Sequence, residues 1–147
     1  MLNRPQTIEG RTALFQEATA IVEAEYFTDL SLDDVARRIH TSRRQLQRAY
    51  LEIGDTTFRD QLSEARMRKA CELLGSEPAL SIRRVAWSVG YQQPAQFAKA
   101  FRRRRGMSPG EYRAQARGVE APALRLSGSR PVHARAAATR WDLLIAA

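Results

Sequence analysis

The chain has 147 residues and a formal net charge of +8, from 24 Lys and Arg against 16 Asp and Glu. Its single cysteine, Cys71, excludes a disulfide within the chain and fits a reducing cytosol. No apolar run approaches the roughly 18 residues a membrane span needs, and no basic start with an apolar core marks a signal peptide, so a cytoplasmic protein away from the membrane is expected.

The charge is uneven along the chain. Residues 1–40 carry 4 basic and 7 acidic side chains, residues 41–117 carry 16 and 7, and residues 118–147 carry 4 and 2. The length suits one medium domain or two small ones sharing a core. The basic middle segment points to a polyanionic partner.

Met1 to Gly10 is polar and reads as a flexible arm. A helix is predicted from about Arg11 to Phe27, with Ala13, Leu14, Ala18, Ile21, Val22 and Tyr26 as its apolar stripe. After a short turn, Ser31 is a good N-cap, and Asp33 and Asp34 in the first turn suit the helix dipole. Leu32, Val35, Ala36 and Ile39 then lie on one face. A third helix starts near Ser42, with Leu46, Ala49 and Tyr50 inward. Gly54-Asp55 closes it, at an exit whose geometry the letters leave open.

Thr57 can cap a longer helix, roughly Phe58 to Leu74, whose apolar positions are Phe58, Leu62, Met67, Ala70, Cys71 and Leu74. About 17 residues at about 1.5 Å each span roughly 25 Å, the order of length that holds two elements in successive major-groove turns, about 34 Å apart. A loop, Gly75 to Leu80, leads to a second set. There Ile82, Val85, Ala86 and Val89 repeat the spacing of Leu32, Val35, Ala36 and Ile39 at an offset of 50. Gly90-Tyr91 breaks that helix, and Pro94 suits the first turn of the next. In it Phe97, Ala100 and Phe101 match Leu46, Ala49 and Tyr50 at an offset of 51. The chain thus contains an internal repeat of one helix-turn-helix. A last helix begins near Ser108 or Pro109, with Tyr112 packing on the second unit.

The expected architecture is all-α, with about seven helices in two helix-turn-helix subdomains joined by a linker helix. The expected bounds are an arm at 1–10, a first subdomain at 11–55, a linker at 56–75, a second subdomain at 76–117 and a mostly disordered tail at 118–147. Near the end, Trp141 to Ile145 is apolar and either docks locally, binds a partner or stays untethered.

The run VGYQQPAQFAKAFRRRRGMSPGEYR resembles the signature of the AraC/XylS family of transcription regulators. It matches at Gly90, Tyr91, Phe97, Lys99, Ala100, Phe101, Gly106, Ser108, Pro109 and Tyr112, ten positions within about 25, and the resemblance covers roughly 11–117. It departs where Gln92 and Gln93 replace the family's small hydroxyl residues and where Pro94 appears, so base preference does not transfer. The resemblance implies a sequence-specific regulator with two DNA-reading units and base contacts at Arg44, Gln47 and Arg48. Family members often carry a separate ligand-binding domain, for which this chain has no room, so a stand-alone regulator is expected, the alternative being a fragment of a longer protein.

The outer faces carry the candidate DNA-binding residues. In the first recognition helix these are Arg43, Arg44, Gln47 and Arg48. Arg can bond guanine O6 and N7 in a bidentate way, and Gln can do the same at adenine N6 and N7. Arg43 and Arg48 read equally as phosphate contacts or structural ion pairs. In the second helix the candidates are Gln92, Gln93, Gln96, Lys99, Arg102 and Arg103, with Gln92 and Gln93 alternatively capping the helix start. Four consecutive arginines circle a helix, so of Arg102 to Arg105 one or two are expected to meet phosphates and the rest to be solvated.

Trp87 lies off its helix's apolar stripe and either covers the loop or brushes the DNA backbone. Cys71 reads as a small core residue. His40 and His133 have no ligand cluster around them, so neither metal nor cofactor is expected. The expected partners are double-stranded DNA, bound as a monomer, and RNA polymerase. The competing account is an interaction module that contacts the polymerase or another regulator and binds DNA non-specifically. No enzyme motif appears.

Overall fold

The structure, a computed structural model, describes residues 7–118. The tail beyond Gly118, with Trp141 to Ile145 and His133, and the first six residues of the expected arm lie outside the described residues. Among those described there are seven α-helices. They are α1 (Ile8–Glu25), α2 (Leu32–Arg38), α3 (Arg43–Glu52), α4 (Phe58–Ser76), α5 (Ile82–Ser88), α6 (Pro94–Arg105) and α7 (Pro109–Ala116). None is long and apolar enough to cross a membrane.

Capping side chains start most of these helices, and Ser31, Ser42 and Thr57 are the caps expected from the sequence. Ser31, Ser42, Thr57, Ser81 and Ser108 each accept a hydrogen bond from the backbone N–H three residues on. Each removes one orphan donor from a helix end. Ser108 and Glu111 complete a reciprocal capping box.

The helices enclose two apolar cores that share α4. The first joins Phe15, Val22, Val35, Leu46 and Tyr50 to Leu62 and Ala65. The second begins two residues later on α4, at Met67, and adds Ala70, Leu74, Val85, Phe97 and Phe101. Tyr26, just after α1, packs against both. In the first core a buried polar chain crosses the apolar packing. The Tyr50 hydroxyl donates to Gln61 Oε1, Gln61 Nε2 donates to Thr19 Oγ1 at 2.8 Å, and Thr19 donates to the Phe15 carbonyl at 2.8 Å. Burial pushes the Tyr50 phenol well above its ordinary value, so it stays neutral and remains a donor.

The repeat read from apolar spacing extends to the backbone. After α2 the Thr41 N–H bonds the Ala36 carbonyl at 2.9 Å, and after α5 the Tyr91 N–H bonds the Ala86 carbonyl at 2.9 Å. The residue before each is left-handed, His40 at φ 56 and Gly90 at φ 94. The first unit accommodates a histidine there because the position is exposed. At Gly90 a Cβ would lie 3.1 Å from both Arg66 Nε and the Phe27 carbonyl oxygen.

Two expectations are corrected, at α1 and at Phe15, and the exit of α3, which the letters left open, is defined. Helix α1 begins at Ile8, inside the expected arm, because Thr7 caps it by accepting from the Gly10 N–H at 3.0 Å. Phe15, left out of the predicted stripe, is buried and meets the Tyr50 ring edge-on at 5.3 Å. At the exit of α3 the left-handed residue is Asp55, at φ 48, and not Gly54. Gly54 is needed for packing: a Cβ there would lie 2.5 Å from Phe15 Cε2.

Candidate nucleic-acid interface

Helix α3 buries Leu46, Ala49 and Tyr50 and turns Arg43, Arg44, Gln47 and Arg48 outward, all four exposed. These four do not share one state. Arg43 donates from Nη1 to Asp33 Oδ2 at 2.6 Å, across to the start of α2. Arg48 donates from Nε to Glu52, whose other oxygen takes Arg11 Nε of α1 at 2.8 Å. The Arg48 hydrogen bond, with the Arg11 and Arg48 charges, holds the Glu52 carboxyl below its ordinary value against the opposing effect of desolvation. Arg44 and Gln47 make no side-chain hydrogen bond or ion pair among the described residues. Both paired arginines sit at the surface, where such pairs contribute little to stability.

Helix α6 repeats the arrangement. Phe97 and Phe101 are fully buried, while Gln96, Lys99, Arg102 and Arg103 point outward and have no side-chain partner among the described residues. Positions 96, 99 and 102–103 follow at helical spacing and form one outward stripe. Gln93 occupies the N-cap but makes no side-chain cap bond, so capping is not its role here. Gln92 is exposed beside it, and its main-chain carbonyl accepts from Trp87 Nε1 at 3.2 Å. Trp87 thus covers the loop while staying 47% exposed, so contact with a DNA backbone is left open. Arg83 stacks on the same indole at 4.8 Å from its centroid.

The four-arginine run divides two and two. Arg102 and Arg103 point outward. Arg104 and Arg105 turn back to α4, where they are partly buried and paired rather than freely solvated as expected. Arg104 donates to Ser63 at 2.8 Å and to Asp60 at 3.0 Å. Arg105 donates to Glu64 Oε1 at 2.8 Å and from Nε to Cys71 Sγ at 3.4 Å. Burial alone would pull the Arg105 guanidinium below its ordinary value, but Glu64 and Cys71 more than offset it and the net shift is upward. Nothing in the sequence separated these arginines, because Asp60, Ser63 and Glu64 lie about 40 residues away. Cys71 is partly buried and packs against the second core, where it also accepts Arg105. No cluster of metal-ligating side chains occurs among the described residues.

Two helix-turn-helix units on one shared helix, each turning a basic and amide-rich face outward, define the double helix-turn-helix class of DNA-binding domain. A family model described as a helix-turn-helix domain matches residues 35–115. The chain is similar to the solved structure of a transcriptional regulator with an AraC-type DNA-binding domain from Chromobacterium violaceum. Identity is 30%, coverage is 74% of this chain and 96% of that one, and the TM-score is 0.68. It is also similar to the DNA-binding domain of the global transcriptional factor AdpA in complex with a target DNA, at 27% identity over 71% of this chain and 93% of that one, with a TM-score of 0.66. Among curated relatives, the Msm operon regulatory protein of Streptococcus mutans is 28% identical over 69% of this chain and 36% of its own length. This chain belongs to the AraC-type helix-turn-helix family of transcription regulators. It spans about a third or less of the length of the first curated relatives it matches.

Proposed function

We propose that this protein regulates transcription by reading DNA sequence-specifically as a monomer, with α3 and α6 in successive major-groove segments. The supporting observation is the pair of outward stripes, Arg44 and Gln47 on α3, and Gln96, Lys99, Arg102 and Arg103 on α6, directed to solvent and without intramolecular partners among the described residues. Amides on both faces suit base-edge readout, which a purely electrostatic binder would not need. The likeness to the DNA-bound AdpA domain supports the same reading.

In this reading Arg44 takes guanine and Gln47 adenine, while Arg43 and Arg48 exchange their surface carboxylates for phosphates. Gln96 and Lys99 reach base edges from α6, with Gln92 and Gln93 beside them at its start. Arg102 and Arg103 meet phosphates. RNA polymerase is the proposed second partner, reached from DNA rather than in solution. The activity is binding rather than catalysis, in the cytoplasm and away from the membrane, and it draws on no cofactor.

Selection of bound sequences from a random DNA pool at about 150 mM salt tests this. The expected result is two short motifs about one helical turn apart, with Gln47→Ala blurring one and Gln96→Ala the other. Binding without any enriched motif would sink the reading and favour a protein-interaction module.

A further inference from the structure

We infer that Arg66 is a positioning residue that fixes the separation of α3 and α6, and with it the number of base pairs between the two half-motifs. The inference rests on the two-helix DNA reading above. Arg66 lies midway along α4, at the switch between the two cores. On one side it grips the first unit. Its Nε donates to the Tyr26 carbonyl at 2.7 Å and its Nη2 to the Thr28 carbonyl at 2.8 Å. These carbonyls lie at and just beyond the C-terminal end of α1, where the helix dipole favours a cation, and the Thr28 carbonyl also accepts the Leu30 N–H at 2.9 Å.

On the other side it meets the second unit. The guanidinium lies 5.4 Å from the centroid of the Tyr91 ring. Gly90 comes so close that a Cβ would sit 3.1 Å from Arg66 Nε and 3.2 Å from Cζ. Tyr91 in turn packs on Phe97 of α6, with ring centroids 5.6 Å apart. One planar group therefore touches the turn before α2 and the turn before α6. Its two carbonyl bonds set its plane, and its plane sets where the Gly90-Tyr91 turn rests.

The consequence is a rigid spacing. One added base pair moves the second half-site by about 3.4 Å and rotates it by about 35°. Units held through a fixed guanidinium cannot follow that change. Units joined through α4 with the guanidinium removed gain freedom to do so. A methionine at this position keeps the length and the apolar stem but neither donates nor stacks as a cation.

The test repeats the sequence selection with the full chain carrying Arg66→Met and scores the spacing between half-motifs. Wild type is expected to enrich one spacing. Arg66→Met is expected to enrich a second, one base pair longer or shorter, to at least about one-tenth of the main one, a penalty of about 1.4 kcal/mol or less. Both half-motifs should stay unchanged. Arg66→Lys, which keeps the charge and part of the donation, is expected to lie between the two. A residue that only supports stability would lower the bound fraction without moving the spacing, so a single unchanged spacing in Arg66→Met overturns the inference. Spin labels at Ala20→Cys and Arg84→Cys, with Cys71→Ser, give a second readout that needs no DNA. The distance distribution should broaden in Arg66→Met, or in Tyr91→Leu should Arg66→Met fail to fold, and an equally narrow distribution also overturns the inference. If wild type enriches no motif while the labels still broaden, the DNA reading falls and the inter-unit clamp stands.

Discussion

Arg105 near the end of α6 and Glu64 in the middle of α4 form a half-buried ion pair, Nη2 to Oε1 at 2.8 Å, with each side chain about one-quarter exposed. Glu64 also faces Arg104 Nη1 at 3.6 Å. The pair seats the second recognition helix on the linker. Removing one partner strands a poorly solvated charge. Glu64→Ala is therefore expected to cost about 2 kcal/mol in urea unfolding. Glu64→Leu with Arg105→Met should recover most of that loss, and the double-mutant cycle measures the coupling.

The division of the arginine run predicts a division of phenotypes. Arg102→Ala and Arg103→Ala should leave stability within about 0.5 kcal/mol, yet each should lower the slope of log affinity against log salt by about 1. Arg104→Ala should do the reverse, lowering the unfolding midpoint and leaving the salt slope nearly unchanged. Binding isotherms over a salt series, read beside thermal melts, separate the two groups.

At the exit of α3, adjacent residues are expected to respond with opposite signs. Gly54→Ala forces a Cβ against the Phe15 ring and the Tyr50 carbonyl, and overpacking of that kind costs about 1–3 kcal/mol. Asp55→Gly relieves a left-handed non-glycine residue and should leave stability unchanged or raise it by about 0.5 kcal/mol, after the entropy that glycine adds to the unfolded chain. Thermal melts of the two single variants check the signs.

Arg113 on α7 occupies the position that Leu62 holds in the first unit, at the same offset of 51 that relates the recognition helices. Its Nε and Nη2 are buried without a hydrogen-bond partner among the described residues. Burial, and then the nearby Arg117 charge, hold its guanidinium below the ordinary arginine value. Arg113→Leu should therefore stabilise the protein by about 1 kcal/mol, seen as a higher thermal midpoint with an unchanged DNA motif.

Elements built from neighbours along the chain are legible in the amino-acid letters alone. The inward faces of α2, α3, α5 and α6 follow from apolar residues at helical period, and Ser31, Ser42 and Thr57 mark helix starts because a cap bonds only three residues away. The outward positions of Arg44, Gln47, Gln96 and Lys99 are what remains once those faces are assigned. Tertiary structure alone decided the rest. It separated Arg102 and Arg103 from Arg104 and Arg105, gave Gly54 its reason in the Phe15 ring, and brought Arg66 between the Tyr26 and Thr28 carbonyls and the Tyr91 ring. Each of these contacts joins groups about 25 to 45 residues apart. Periodicity reports which side of a helix is apolar, but the partner of a polar side chain on that helix depends on where the other helices pack.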